Sequence, residues 1–202
     1  MGRFINSYIL LRCLHLFVIA LLLFGAFSLI PENVAQAARM IEPSDLLKFT
    51  AAGHVLGFES EGFYVAAGDH MLRVEFAGAS DVAPTADYVP SGDGQAQPPG
   101  RVTYANLWPG VTLSYDRVAG GIVQSTYLIE PDTNVGQIRL CYNAPVKIEA
   151  GGDLLIGYET GQIRESAPVA WQYFNGRRIS VEVTFCLLDS TNCNPAVGFS
   201  LG

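Results

Sequence analysis

The chain has 202 residues, half of them hydrophobic, with 12 basic and 19 acidic side chains and a formal net charge of −7. That length gives room for one large domain or two small ones. The acidic balance argues against nucleic-acid binding and against adhesion to anionic membranes by charge, because both surfaces would repel it.

Residues 1–37 read as a secretory signal helix. Arg3 and Arg12 come first, followed by an apolar run from Leu14 to Ile30 broken only by His15 and Ser28. Ala35 and Ala37 then form an A-x-A pattern, with the cut expected before Ala38. An uncleaved anchor is the alternative, since the run approaches the span of a bilayer; the membrane is then met only through this N-terminal segment. Cys13 precedes the apolar core, so it is not a lipid-attachment cysteine. Losing the leader removes Arg3, Arg12 and Glu32, which leaves 10 basic and 18 acidic side chains and a net charge near −8. Such a chain suits a secreted or cell-surface location.

Beyond the leader, no amphipathic helical period is found. Residues 38–78 carry the runs "LLKFT", "HVLGFES", "GFYVAAG" and "HMLRVEFAG", which predict a β-meander with turns at Ala52-Gly53, Glu61-Gly62 and Gly68-Asp69. Residues 79–100 hold four prolines and no sustained pattern, and so predict an exposed loop or linker. Asp81, Asp87 and Asp93 lie in it, but their spacing fits no calcium loop, and solvated loop charges are the simpler reading. Residues 101–202 resume short β-rich runs about ten residues apart and are expected to pack with 38–78 as one domain. The predicted fold is all-β, an antiparallel two-layer sandwich or open barrel. The 21 glycines and 11 prolines supply the turns that so many short strands require.

The stretch "PVAWQYFNGRRISVEVTF", Pro168 to Phe185, predicts a hairpin. A two-residue Asn175-Gly176 turn sets Trp171 opposite Ser180 and so places apolar side chains on polar ones. A three-residue loop of Phe174, Asn175 and Gly176 with a bulge instead sets Trp171 opposite Ile179 and Val169 opposite Val181. Burying each large side chain is worth about 1.5–3 kcal/mol, which outweighs a turn preference. The expectation is therefore the bulged turn, with Trp171, Tyr173 and Phe185 in the core.

Three cysteines follow the leader. Cys186 and Cys193 flank the polar turn "LLDSTN" and would bridge its base in an oxidising compartment, with Cys141 left over; two buried thiols are the alternative. Zinc lacks ligands, because His54 and His70 stand near no cysteine pair in sequence. The same two histidines would have to serve any serine triad, yet no G-x-S-x-G turn accompanies them. Glu159 and Glu165 are the carboxylate pair weighed for glycoside hydrolysis, but nothing in sequence brings them together. No phosphate loop or dinucleotide fingerprint appears, so no enzyme activity and no cofactor are expected. A glycan would need an exposed aromatic face. Core packing is the simpler reading for Trp108, Trp171, Tyr104, Tyr115 and Tyr173; Trp108, beside Pro109-Gly110, is the first to test, with a role in that turn as the favoured alternative.

Four blocks in order carry a resemblance: "VTYANLWPGVTLSYDR", "GGIVQSTYLIEPDTNVGQIRLCYN", "GGDLLIGYETGQIRESAPVAWQYFNGRRISVEVTF" and "VGFSLG". They resemble the bacterial domain of unknown function that stands ahead of seven-bladed propeller-type (SBBP) repeats in large secreted and surface proteins. "LLKFTAAGHVLGF" and "GDHMLRVEFAGA" are similar to its start, so the likeness covers about residues 46–201. The resemblance implies an interaction or cap module whose partner is a cell-surface protein or a glycan, and it carries over no catalytic residue. Family members continue into a further segment and the repeats where this sequence stops at Gly202, and no internal repeat is present. The family is usually free of cysteine at the positions of Cys186 and Cys193.

Overall fold

A computed structural model describes residues 9–13, 16–18, 46–68, 70–88, 99–159, 161–189, 193 and 196–202. Strands run in the order β1 (Ile9–Cys13), β2 (Leu16–Val18), β3 (Leu47–Ala51), β4 (His54–Glu59), β5 (Gly62–Ala67), β6 (His70–Phe76), β7 (Thr85–Asp87), β8 (Arg101–Trp108) and β9 (Val111–Asp116). They continue with β10 (Gln124–Ile129), β11 (Leu140–Tyr142), β12 (Val146–Ile148), β13 (Leu154–Tyr158), β14 (Gly161–Glu165), β15 (Pro168–Phe174), β16 (Arg177–Val181), β17 (Val183–Leu188) and β18 (Ala196–Leu201). Among the described residues the only helical turn is a 3₁₀ turn at Val135–Gln137, so the chain is all-β.

The strands form three antiparallel sheets and no closed barrel. The first runs β16-β15-β1-β10-β9-β8-β7, the second β17-β18-β11-β6-β5-β4-β3, and the third β12-β13-β14-β2. All three feed one hydrophobic cluster. At its centre Phe63 of β5 meets Tyr115 of β9 at 4.7 Å, and Phe76 of β6 meets Tyr104 of β8 edge-on at 5.1 Å. Each such aromatic pair adds about 0.5–1.5 kcal/mol beyond the area it buries.

The meander β3–β6 forms, with one shift. Glu59 pairs with Gly62, so the second turn lies at Ser60-Glu61, one residue earlier than expected. The predicted loop at 79–100 contains β7, which pairs Thr85 with Thr103 of β8; Asp93 and the A-x-A cleavage pattern lie outside the described residues. Where the leader is described it is not helical. Ile9–Cys13 and Leu16–Val18 are strands, Ile9–Cys13 paired between β10 and β15 and Leu16–Val18 on β14.

The motif "YANLWPG" builds a bulge in β8 between Tyr104 and Trp108. Asn106 sits there at φ 54°, a left-handed backbone that asparagine tolerates, and its Oδ1 accepts the Gly110 N–H at 2.8 Å. Gly110 has φ 74°, and a Cβ on it would collide with Thr133 Oγ1.

Tyr104 is fully buried and donates its hydroxyl to the Glu59 carbonyl at 2.8 Å. Burial pushes its phenol far above the ordinary value, and the Glu59 charge adds to the shift. With the folded value raised, stability is intact below about pH 10 and falls as pH rises further, because only the unfolded chain ionises there. Tyr104→Phe should cost about 1 kcal/mol at pH 8 and flatten the alkaline decline by up to ~1.4 kcal/mol per pH unit, measured by urea unfolding from pH 8 to 11. An unchanged alkaline slope would refute the assignment.

Candidate interaction surface

The hairpin β15–β16 carries the largest apolar side chains left in solvent near one another. Asn175 and Gly176 have φ 51° and 73°, the two left-handed positions of a type I′ turn. Phe174 pairs with Arg177, Tyr173 with Arg178, Gln172 with Ile179, Trp171 with Ser180, and Ala170 with Val181. This corrects the expected three-residue bulged loop: Phe174 belongs to the strand, and the turn is Asn175-Gly176 alone.

The reason is that the burial premise fails for this arm. Ala170 and Val181 pack against the core, but the hairpin runs on past it. Tyr173 is 54% exposed, Phe174 40% and Ile179 42%. With little apolar area to hide at the tip, turn chemistry decides the register. Tyr173 is therefore not a core aromatic.

Trp171 is buried, at 6% exposure, yet it alternates with Ala170 and lies on the opposite face of the strand. The Arg178 guanidinium covers it at 4.0 Å from the ring centroid, a cation–π contact. The predicted second strand also divides. It leaves the first sheet at Val181 and enters the second at Val183, where Phe185 is buried 5.5 Å from Phe199.

The other candidates go elsewhere. Trp108 is 1% exposed, lies edge-on to Phe76 at 5.8 Å, and donates its indole N–H to the Ala77 carbonyl at 3.2 Å. It is a core residue and has no face for a sugar. Tyr104 and Tyr115 are buried as well. The predicted Cys186–Cys193 bridge is replaced by Cys141–Cys193, with Cα atoms 5.6 Å apart, and Cys186 is unbridged. Pairing explains the change. Cys186 stands opposite Gly198 inside the β17–β18 ladder, whereas Cys141 stands opposite Ala196, just beyond Cys193.

A cleft of about 670 Å³ lies between β6 and β13, with His70, Asn143, Tyr158 and Glu159 in its lining. His70 stacks flat on Tyr158 at 4.1 Å, and His54 meets His70 edge-on at 5.6 Å while its Nδ1 lies 2.9 Å from the Ala52 carbonyl. Asn143 spends its amide on β6: Oδ1 accepts the Arg73 N–H and Nδ2 donates to the Met71 carbonyl. Glu165 pairs with Leu154, whereas Glu159 follows Tyr158 at the other end of the same strand pair. Five residues of strand put their Cα atoms about 17 Å apart, beyond glycosidase spacing. No group of three metal-ligating side chains is found among the described residues.

The fold is thus an all-β domain of antiparallel sheets with exposed aromatic side chains on the β15–β16 hairpin. Residues 51–202 match the family described as Domain of unknown function (DUF7948), and the chain belongs to that family. No curated protein and no solved structure matches the chain.

Proposed function

We propose that this is an exported, non-catalytic sandwich module of a secreted or cell-surface protein. It serves as an interaction or cap domain of the kind that precedes SBBP propeller repeats. The leader, the acidic balance and the block resemblance support export and context. The observation that carries the interaction role is the β15–β16 arm, where Tyr173, Phe174 and Ile179 stand exposed beside Arg177 and Arg178 in an otherwise acidic chain. Aromatic and arginine side chains are the usual anchors of protein interfaces, and here Phe174, Ile179 and Arg177 share one face of the arm while Tyr173 and Arg178 share the other. A glycan reading now falls to Tyr173 rather than Trp108.

The test is the triple variant Tyr173→Ser, Phe174→Ser and Ile179→Thr, made in the full chain. Its unfolding midpoint should stay close to wild type, while affinity for purified cell-envelope proteins falls roughly 30-fold, as expected for losing an aromatic anchor. Equal binding by wild type and variant would end the assignment of this surface. A glycan array on the same pair reports whether the partner is a sugar.

A further inference from the structure

The first sheet has a strand in its middle that comes from the leader. Strand β1 is antiparallel to β10 on one side and to β15 on the other. β10 and β15 therefore run parallel to each other with one strand width between them, so each presents an unpaired edge whenever β1 is absent. That edge is not peripheral. Leu11 stands opposite Tyr127 and Ala170, Ile9 opposite Ile129, and Tyr127, Ala170 and Ile129 are all buried.

The pairing does not stop at Cys13. β2 pairs with β14, Leu16 opposite Glu165 and Val18 opposite Ile163. The two ladders share one register, from Ile9 opposite Gln172 to Val18 opposite Ile163, so residues 9–13 and 16–18 pair with β15 and β14 as one antiparallel complement. The junction that receives it is held in place. Arg164 bridges Glu149 at 2.8 Å and Asp153 at 3.0 Å, and Asp153 Oδ1 accepts the Ala167 N–H at 2.8 Å.

We infer that the slot between β10 and β15, continued along β14, is a strand-acceptor site that in the exported protein takes an extended segment of a partner polypeptide. This rests on the reading of residues 1–37 as a removable leader. Main-chain hydrogen bonds to both neighbours would supply affinity, and alternate side chains would supply selectivity. The seated segment shows the chemistry required. Apolar residues two apart stand opposite Ile129 and Tyr127 in register, a third apolar residue stands opposite Trp171 and Leu128, and a polar residue stands opposite Thr126 and Val169. The donor runs antiparallel to β15. An open interior edge of this length otherwise invites uncontrolled pairing, which makes a dedicated donor physically economical.

The full chain, leader included, is expressed for export, and the exported fraction is purified and its intact mass measured. The protein is then unfolded in urea with its disulfide intact and refolded with a labelled synthetic peptide of residues 5–18 carrying Cys13→Ser. Protein lacking residues 1–37 should bind this peptide saturably and gain thermal stability. Peptide with N-methyl groups on alternate backbone nitrogens of residues 9–13, or with Leu11→Lys, should bind at least ~10-fold more weakly, because the ladder is broken or a charge is set opposite the buried Tyr127 and Ala170. Exported, processed protein that ignores the peptide, or binds the N-methylated form equally well, overturns the slot and leaves the export reading standing. Protein that is exported with residues 1–37 retained overturns it too, since Ile9–Cys13 is then a permanent strand. A chain that stays in the cytoplasm defeats the export reading and, with it, the slot.

Discussion

Trp108→Ala is expected to lower the free energy of unfolding by about 3–5 kcal/mol, about a fifth or more of the stability of an ordinary domain. The indole is 1% exposed and lies edge-on to Phe76, so truncation opens a cavity between the first and second sheets that their backbones cannot close. It also leaves the Ala77 carbonyl, which accepts the indole N–H, without that donor. Trp108→Phe separates the two effects, because it keeps most of the apolar volume and loses only the donor, for about 1–2 kcal/mol. Urea unfolding of the three proteins measures both. A Trp108→Ala protein within 1 kcal/mol of wild type would contradict the buried position and return Trp108 to consideration as a ligand-stacking residue.

Loss of the Cys141–Cys193 bridge is the second large effect. The bridge closes a loop with a sequence separation of 52 residues, far longer than the one between Cys186 and Cys193. On the chain-entropy estimate a loop of that size contributes about 4 kcal/mol, against about 2–3 kcal/mol for the short one. Cys141→Ala with Cys193→Ala should therefore lower the melting midpoint by roughly 8–16 °C for a domain of this size. Cys186→Ala should leave it near the oxidised wild-type value. Peptide mapping under non-reducing conditions supplies the direct check, and a fragment linking Cys186 to Cys193 would overturn the assignment. The bridge ties β11 to the segment entering β18, so its loss also loosens the edge where Phe185 and Phe199 close the core.

The cysteine pairing shows where sequence reasoning stops. Local pattern marks a polar turn between Cys186 and Cys193, and with it a bridge across its base. What decides the bridge is that β11 lies beside β18, a neighbour more than fifty residues away in the chain. The hairpin teaches the complementary lesson. Its existence was legible in "FNGRR", and the correct register was one of the two available there. Choosing between them required knowing that the arm outruns the core, since the apolar match at its tip loses its value when Tyr173 and Ile179 stay in water. Trp108 is hidden for a related reason. Its neighbours Pro109 and Gly110 announce a turn, but the bulge at Asn106 redirects the strand and sends the indole inward.

The chain by itself determined that this protein is built of short antiparallel strands, because β-branched and aromatic runs between glycine and proline leave no helical face to bury. It also determined the acidic surface and the order of blocks that marks the family. Only the tertiary structure decided which cysteines meet, which aromatics are hidden, and that β10 and β15 lie one strand apart. Those outcomes depend on neighbours brought together across the sheets, and no local period or turn residue encodes that distance.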